Sequence, residues 1–146
     1  MSNFWRDFSA SISEIYNLPF LELVFKAANV HREHQTPDEV QLCTLLSVKT
    51  GGCPEDCSYC PQAARYHTDL ERQKLMDVPT VLADAKHAKD SGSTRFCMGA
   101  AWREVKDNAE FDSIIEMVKG VRAMGMEACC TLGMLSESQA MRLKEA

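Results

Sequence analysis

The sequence has no long apolar run, no basic segment and no export signal, and each absence narrows the protein's class. No stretch approaches the roughly 20 consecutive apolar residues that a membrane-spanning helix needs. Residues 1–10 include Arg6 and Asp7 and lack an apolar segment of signal-peptide length. The formal net charge of −5 argues against a nucleic-acid backbone as the main partner. We therefore expect a cytoplasmic protein that binds neither membrane nor nucleic acid.

Internal repeats and low-complexity segments are also missing, which indicates an ordinary globular fold. The 146 residues are enough for one domain with a core, and 45% of them are hydrophobic. Cysteine, in contrast, is abundant. Seven cysteines, an odd number, without an export signal favour a reducing compartment, where thiols are ligands more often than disulfide partners.

Three of the cysteines lie in one short loop rich in glycine and proline. Cys53, Cys57 and Cys60 have the spacing C-x3-C-x2-C. No disulfide pattern needs this spacing, whereas three thiolates can bind three irons of a [4Fe–4S] cluster and leave the fourth iron open. An open metal position is typical of a reactive site rather than a structural one. The alternative is a zinc knuckle or a redox pair.

Zinc fits this loop poorly because a structural zinc ion takes four protein ligands. No fourth cysteine lies nearby, and His67 is seven residues beyond Cys60, farther than the usual zinc spacing. We therefore favour the iron–sulfur cluster and expect His67 on the surface.

Hydrophobic spacing predicts a helical N-terminal region followed by three β-α units. The helical region ends at residues 36–38. In the first predicted strand, apolar residues occur at both odd and even positions, which predicts that both faces of the strand are buried. Asn108 and the pair Ser136–Gln139 are predicted helix caps. The predicted strands cover residues 41–49, 94–98 and 127–132.

Alternating strands and helices predict an α/β fold with a parallel sheet and right-handed crossovers. Function in such folds lies at the carboxyl ends of the strands. Three β-α units do not close a barrel. We therefore interpret residues 40–146 as a partial TIM-type (β/α) barrel that is truncated at its C-terminus, and residues 1–39 as a helical extension. A small complete three-layer domain is the alternative.

A second group of thiols is predicted on the strands themselves. Adjacent strands lie about 4.8 Å apart, so Cys97 and Cys129 could share a metal centre if they face the same side. Because side chains alternate, Cys129 and Cys130 face opposite sides and only one of them can join Cys97. Arg95 shares the face of Cys97 and needs an anionic or acceptor partner. Cys43 is a further candidate for this face, although buried cysteines are more often small hydrophobic residues.

The sequence resembles the radical S-adenosylmethionine (SAM) enzymes, and among them those that insert sulfur into dethiobiotin. The cysteine loop shares their spacing and carries an aromatic residue, Tyr59, directly before its third cysteine. The run Arg-Phe-Cys-Met-Gly-Ala-Ala-Trp at residues 95–102 is more specific, because other radical SAM families lack it. The likeness extends from about residue 16 to the end. Further matching segments cover residues 45–51, 92–94, 131–133 and 135–140.

This resemblance implies a TIM barrel with two iron–sulfur clusters. The three loop cysteines would hold the [4Fe–4S] cluster, and SAM would bind its open iron near Tyr59, Ala100 and Trp102. Cys97 and Cys129 would provide two of the three cysteines that hold a [2Fe–2S] cluster. The same resemblance implies that Arg95 lines that cluster. Cys43 departs from the family, which typically has a small polar residue at this position near the [2Fe–2S] site, and we hypothesise that this extra thiol is an alternate cluster ligand.

The implied reaction is sulfur insertion into dethiobiotin to form biotin, the last step of biotin synthesis. SAM would be split to a 5′-deoxyadenosyl radical that abstracts hydrogen from an unactivated carbon, since such a C–H bond has no acidity for a base to use. The resemblance implies a flavodoxin-like electron donor and a homodimer at full length. No side chain is assigned a directly catalytic role. The third [2Fe–2S] cysteine and the substrate-binding residues of the family are missing, so we do not expect these 146 residues alone to be active.

Two other functions stay open. Another radical SAM enzyme would use only the [4Fe–4S] cluster and would have no need of the pair Cys97 and Cys129. A non-catalytic iron–sulfur or zinc-binding module would be marked by a fourth thiol near Cys60, and the sequence has none there.

Overall fold

The computed structural model describes residues 11–146, which divide after Val40 into a helical unit and a β-α unit. The expectation that residues 1–10 lack an export signal lies outside the described residues. Within the described part, no helix combines the length and the apolar character needed to cross a membrane.

The first unit is helical, as predicted. Residues 11–16 are helical, and helix α1 (Phe20–His34) follows them. Pro19 precedes α1 with φ −52°, which suits a helix start. The proline ring fixes φ, and the backbone N–H that proline lacks would have no intrahelical partner at this position. Gln35 is extended and ends the helix just before Pro37. No residue of α1 is buried.

The second unit is a three-stranded parallel sheet with helices after its strands. The strands have the order β1-β2-β3, and both neighbouring pairs are parallel. This confirms the predicted α/β class and the parallel sheet. The elements, in chain order, are β1 (Cys43–Lys49), α2 (Val78–Asp90), β2 (Arg95–Ala100), α3 (Ala109–Ala123), β3 (Glu127–Thr131) and α4 (Glu137–Glu145).

Side-chain caps fix where the three helices of this unit begin. The Asp77 carboxylate accepts a hydrogen bond from the Thr80 amide at 2.9 Å. Asn108 caps α3 by accepting from two amides of its first turn. Ser136 and Gln139 form a reciprocal capping box at α4. The caps at α3 and α4 confirm the prediction, because a cap depends only on residues within one turn.

The two faces of the sheet differ in burial. Val48, Phe96 and Met98 are at most 1% exposed and form one core with α2 and α3. On the other face Leu45 is 73% exposed, and Cys43 is also exposed. The prediction that β1 is buried on both faces was therefore wrong. The helices pack on one face only, and we call the other, which carries Leu45, the open face.

Truncating a side chain on the covered face should cost far more stability than truncating one on the open face. Phe96→Ala should lower the free energy of unfolding by about 3–5 kcal/mol, because it leaves a cavity in the core. Leu45→Ala, the matched control, should change it by about 0.5 kcal/mol or less. Urea unfolding followed by circular dichroism measures both, and equal losses would contradict the assignment of the two faces.

Candidate metal centre

The cysteine loop leaves the sheet at the carboxyl end of β1. Gly51 and Gly52 have φ of +72° and +71°, a conformation that favours glycine, and they turn the chain away from the strand. The Lys49 ammonium donates to the Gly51 carbonyl at 3.3 Å and to the Ala101 carbonyl at 3.1 Å. This lysine therefore ties the start of the loop to the end of β2.

Backbone hydrogen bonds hold the three cysteines in one closed loop. The Cys53 amide donates to the Gln62 carbonyl at 3.0 Å, and the Ala64 amide donates back to the Cys53 carbonyl at 2.8 Å. A turn joins Cys60 to Cys57 through a 3.0 Å amide–carbonyl bond. Cys53 and Cys60 are half-buried, whereas Cys57 is exposed. These bonds close the loop that carries the three thiols without help from a disulfide.

Gln62 has a role that the sequence analysis did not identify. Its side-chain oxygen accepts from the Gly51 amide, and its side-chain nitrogen donates to the Ser47 hydroxyl at 3.4 Å. It therefore links the end of the cysteine loop to β1. The residue belongs to the matching segment around the loop, but its partners depend on how the loop folds back.

The loops after the three strands meet at one edge of the sheet, as expected for parallel strands. Glu55 of the cysteine loop forms a 2.8 Å ion pair with Arg103, which follows β2. The Arg103 carbonyl accepts from the Met134 amide at 2.9 Å, and Met134 follows β3. The cysteine loop is thereby joined to both neighbouring loops.

The residues predicted to contact SAM lie in or next to this region, and their surroundings differ. Tyr59 is 90% exposed in the cysteine loop. Ala100 ends β2 as the register partner of Lys49. Trp102 is half-buried and packs against the hydrophobic core. Their contacts with SAM stay a prediction.

Cys97 and Cys129, which we call the thiol pair, are direct register partners on β2 and β3. Leu45 of the open face is the partner of Cys97 on β1, so the thiol pair shares that face. Burial raises the pKa of the Cys97 thiol, and the neighbouring Cys129 thiol raises it further. The predicted alternation is confirmed, because Cys130 lies beside Met98 on the helix-covered face. That the pair binds a cluster stays a prediction.

Arg95 has the anionic partner that the sequence analysis required. It forms an ion pair with Glu127, and its register partner on β1 is Cys43. Cys43 therefore lies on the same face as the thiol pair, and its role as an alternate ligand remains a hypothesis. Hydrogen bonds from Arg95 and Gln41 lower the pKa of the Glu127 carboxyl.

Cys130 should be the least reactive thiol. Burial raises its pKa to about 12, so it stays protonated at pH values where an ordinary cysteine is a thiolate. Its alkylation rate should keep rising above pH 9, by about tenfold per pH unit, because only the thiolate reacts. Peptide-resolved alkylation with iodoacetamide measures this, and the urea-unfolded chain is the control. A plateau near pH 9 in the folded chain would contradict the assigned burial.

The donor set fits an iron–sulfur cluster better than a single metal ion. All seven cysteines are free thiols. Among residues 11–146, no three His, Cys, Asp or Glu side chains are placed so that they could hold one metal ion. A cubane cluster makes a different demand, since each of its irons takes its own thiolate. The three thiols of the loop provide one thiolate for each of three irons.

The second thiol site also has a feature that fits a sulfide-bearing group. The Nε atom of Arg95 is buried and has no hydrogen-bond partner among the described residues. Buried donors of this kind are normally satisfied. A ligand with acceptor atoms at the thiol pair would satisfy it, and the bridging sulfides of a [2Fe–2S] cluster are such atoms.

Comparisons with known proteins agree on one family, although no protein-family model matches the chain. The chain is 70% identical over 135 residues to a biotin synthase of Cytophaga hutchinsonii, covering 92% of this chain and 40% of that protein. It is 66% identical over 142 residues to the biotin synthase of Myxococcus xanthus, and this match covers 97% of this chain and 41% of that protein. Over 146 residues it is 58% identical to the biotin synthase of Flavobacterium psychrophilum, and this match covers 100% of this chain and 40% of that protein.

These similarities include the cysteine loop and the strands that carry the thiol pair, because the alignments cover nearly all of the chain. The chain spans about two fifths of the length of these relatives, which is consistent with an amino-terminal portion. Identities of 58–70% over 92–100% of its residues show that the chain belongs to the biotin synthase family.

Proposed function

We propose that this chain is the cofactor-binding part of an enzyme that inserts sulfur into dethiobiotin to form biotin. The single observation that carries the proposal is the C-x3-C-x2-C loop at the carboxyl end of β1, with the thiol pair on the two neighbouring strands. A metal-binding module would need the loop alone. Two separate thiol sites on one parallel sheet favour a reaction that uses two clusters.

In this proposal Cys53, Cys57 and Cys60 hold a [4Fe–4S] cluster as thiolates. Lys49 and Gln62 fix the loop against β1 and β2 through the hydrogen bonds described above. SAM would bind the open iron, with Tyr59, Ala100 and Trp102 as its contacts. The rigid loop matters because a fixed geometry orients the reacting groups before reaction.

Cys97 and Cys129 would hold a [2Fe–2S] cluster, with Arg95 beside it. When bound, the cofactors supply a SAM-derived radical that removes hydrogen from an unactivated carbon of dethiobiotin, and a sulfur atom that joins that carbon. The residues of this chain bind these groups, orient them and donate hydrogen bonds to them. Arg95 is the donor that we assign to the second site, because its Nε has no partner among residues 11–146.

The remaining features follow from the family and are proposals too. Residues 40–146 would form the first part of a TIM-type barrel, preceded by a helical extension in residues 1–39. A flavodoxin-like protein would supply electrons, and the whole enzyme would be a homodimer. Seven free thiols support a reducing, cytoplasmic setting.

Anaerobic assembly with iron and sulfide tests the proposal. We expect the reconstituted chain to show the broad visible absorption of a [4Fe–4S] cluster, and SAM to alter its electron paramagnetic resonance spectrum after reduction. Zinc uptake without iron or sulfide would favour the binding module and overturn the enzyme assignment. A cluster that forms but does not respond to SAM would also contradict it.

A further inference from the structure

A line of polar contacts crosses the open face of the sheet next to the thiol pair. Cys43, Arg95 and Glu127 are register partners on β1, β2 and β3 and form one row. Glu127 accepts a hydrogen bond from Arg95 Nη2 through Oε1. Its other oxygen, Oε2, accepts from Gln41 Nε2 at 3.0 Å. Two different donors therefore occupy the two oxygens of one carboxylate.

Glu127 holds the guanidinium of Arg95 through one nitrogen. Arginine and a carboxylate often pair through two parallel hydrogen bonds, which would use Nε and Nη2 together. Here Arg95 donates through Nη2 to Oε1, while Gln41 donates to Oε2 and so helps to fix the orientation of the carboxylate. Nε is left buried and without a partner among the described residues. Because a buried unpaired donor is costly, this arrangement indicates an acceptor that binds there.

The free donor lies close to the thiol pair. Arg95 is two residues before Cys97 on the same strand and face. Glu127 likewise lies two residues before Cys129 on β3. The polar row and the thiol pair are thus adjacent rows of one sheet face.

We propose that Glu127 and Gln41 are positioning residues for Arg95. They hold its guanidinium against the thiol pair and keep its Nε–H free for an anionic sulfur ligand. The inference rests on the proposed function, because the bridging sulfides of a [2Fe–2S] cluster are the acceptors that the thiol pair would bring there. Arginine suits this task because one edge of its planar fork can bind a carboxylate while another donor stays available.

Reaction of the thiol pair with two disulfide reagents tests the proposal in the cluster-free chain. One reagent is a dianionic aromatic disulfide and the other is a neutral one, and peptide mass analysis resolves Cys97 and Cys129. The ratio of the anionic to the neutral rate reports the local charge, because the thiolate fraction affects both rates alike. A guanidinium held beside the thiols raises this ratio.

Each variant has its own expected ratio. Arg95→Gln should lower the ratio of the anionic to the neutral reagent rate about fivefold, as expected for a charge attraction partly screened by water and salt. Glu127→Ala should also lower it, because the released guanidinium moves into solvent. Gln41→Ala should lower the ratio too, because the Glu127 carboxylate is then no longer held by Gln41 and can turn to pair with Arg95 Nε as well. Glu127→Gln keeps an acceptor for Nη2 without the negative charge, so it should keep or exceed the parent ratio.

Two outcomes would overturn the proposal. If Glu127→Ala and Glu127→Gln raise the ratio equally, Glu127 acts through its charge and does not position Arg95. If both reagents react faster by the same factor in every variant, the contacts only support the sheet. Asp112→Asn is the matched control, because it removes the distant ion pair with Arg142 on the helices and should leave the ratio unchanged.

The cysteine loop takes no part in this experiment. Failure of the positioning role would therefore leave the [4Fe–4S] proposal standing. Conversely, failure of cluster assembly in the loop would not change the reagent ratios at the thiol pair.

Discussion

Replacing Cys53, Cys57 and Cys60 together by alanine should abolish assembly of the [4Fe–4S] cluster. Each thiolate binds one iron, and the loop has no further thiol to replace it. The remaining four cysteines lie on the strands rather than in the loop. We expect the broad visible absorption of the cubane to disappear. The iron and sulfide bound per chain should fall by the amounts that one [4Fe–4S] cluster contains. Anaerobic reconstitution followed by iron and sulfide analysis measures this.

Cys130→Ala is the matched control for that variant. It also removes a thiol, but one on the helix-covered face with a strongly raised pKa. The control should assemble the same amount of [4Fe–4S] cluster as the parent chain, at some cost in stability. Undiminished cubane absorption in the triple variant would contradict the assignment of the loop as the cluster site.

Gly133→Ala should destabilise the protein by about 2–5 kcal/mol, since a left-handed residue costs about 1–2 kcal/mol and overpacking adds about 1–3 kcal/mol. Gly133 has φ +78° and directly follows the buried Leu132 at the end of β3. A Cβ atom there would lie 2.6 Å from the Trp102 carbonyl oxygen and would also clash with the Arg103 backbone. Backbone cannot move aside as a flexible side chain can. Thermal and urea unfolding measure the loss.

Gly125→Ala separates the two causes of this loss. Gly125 has the same φ of +78°, but a Cβ atom there would meet nothing within 4 Å. Its replacement should cost only about 1–2 kcal/mol, the conformational part. If the two variants are equally unstable, the close approach between the loops after β2 and β3 does not exist in solution.

The sequence could predict features that depend on neighbours along the chain. The caps at Asn108 and Ser136 were predictable because their hydrogen bonds reach only two or three residues ahead. The separation of Cys129 from Cys130 was predictable because side chains alternate along a strand. The three strands were predicted within about two residues of their observed bounds.

Features that depend on a distant segment could not be predicted in the same way. The need of Arg95 for an anionic partner was clear, but only the β2–β3 register identifies that partner as Glu127, 32 residues away. The role of Gln62 could not be predicted, since its contacts with Gly51 and Ser47 require the loop to fold back. The burial of Leu45 was predicted wrongly because an apolar residue does not specify what packs on it.

By itself the sequence determined the chemistry of this protein: three closely spaced thiols, a second group of thiols on strands, and the alternation that decides which of them can meet. These properties are local, because spacing and strand periodicity are set by covalent geometry. The tertiary structure alone decided that Cys97 and Cys129 are direct partners and that Gln41, Glu127 and Arg95 form one polar line beside them. Register between parallel strands is fixed by packing and hydrogen bonds across long separations, which no single segment encodes.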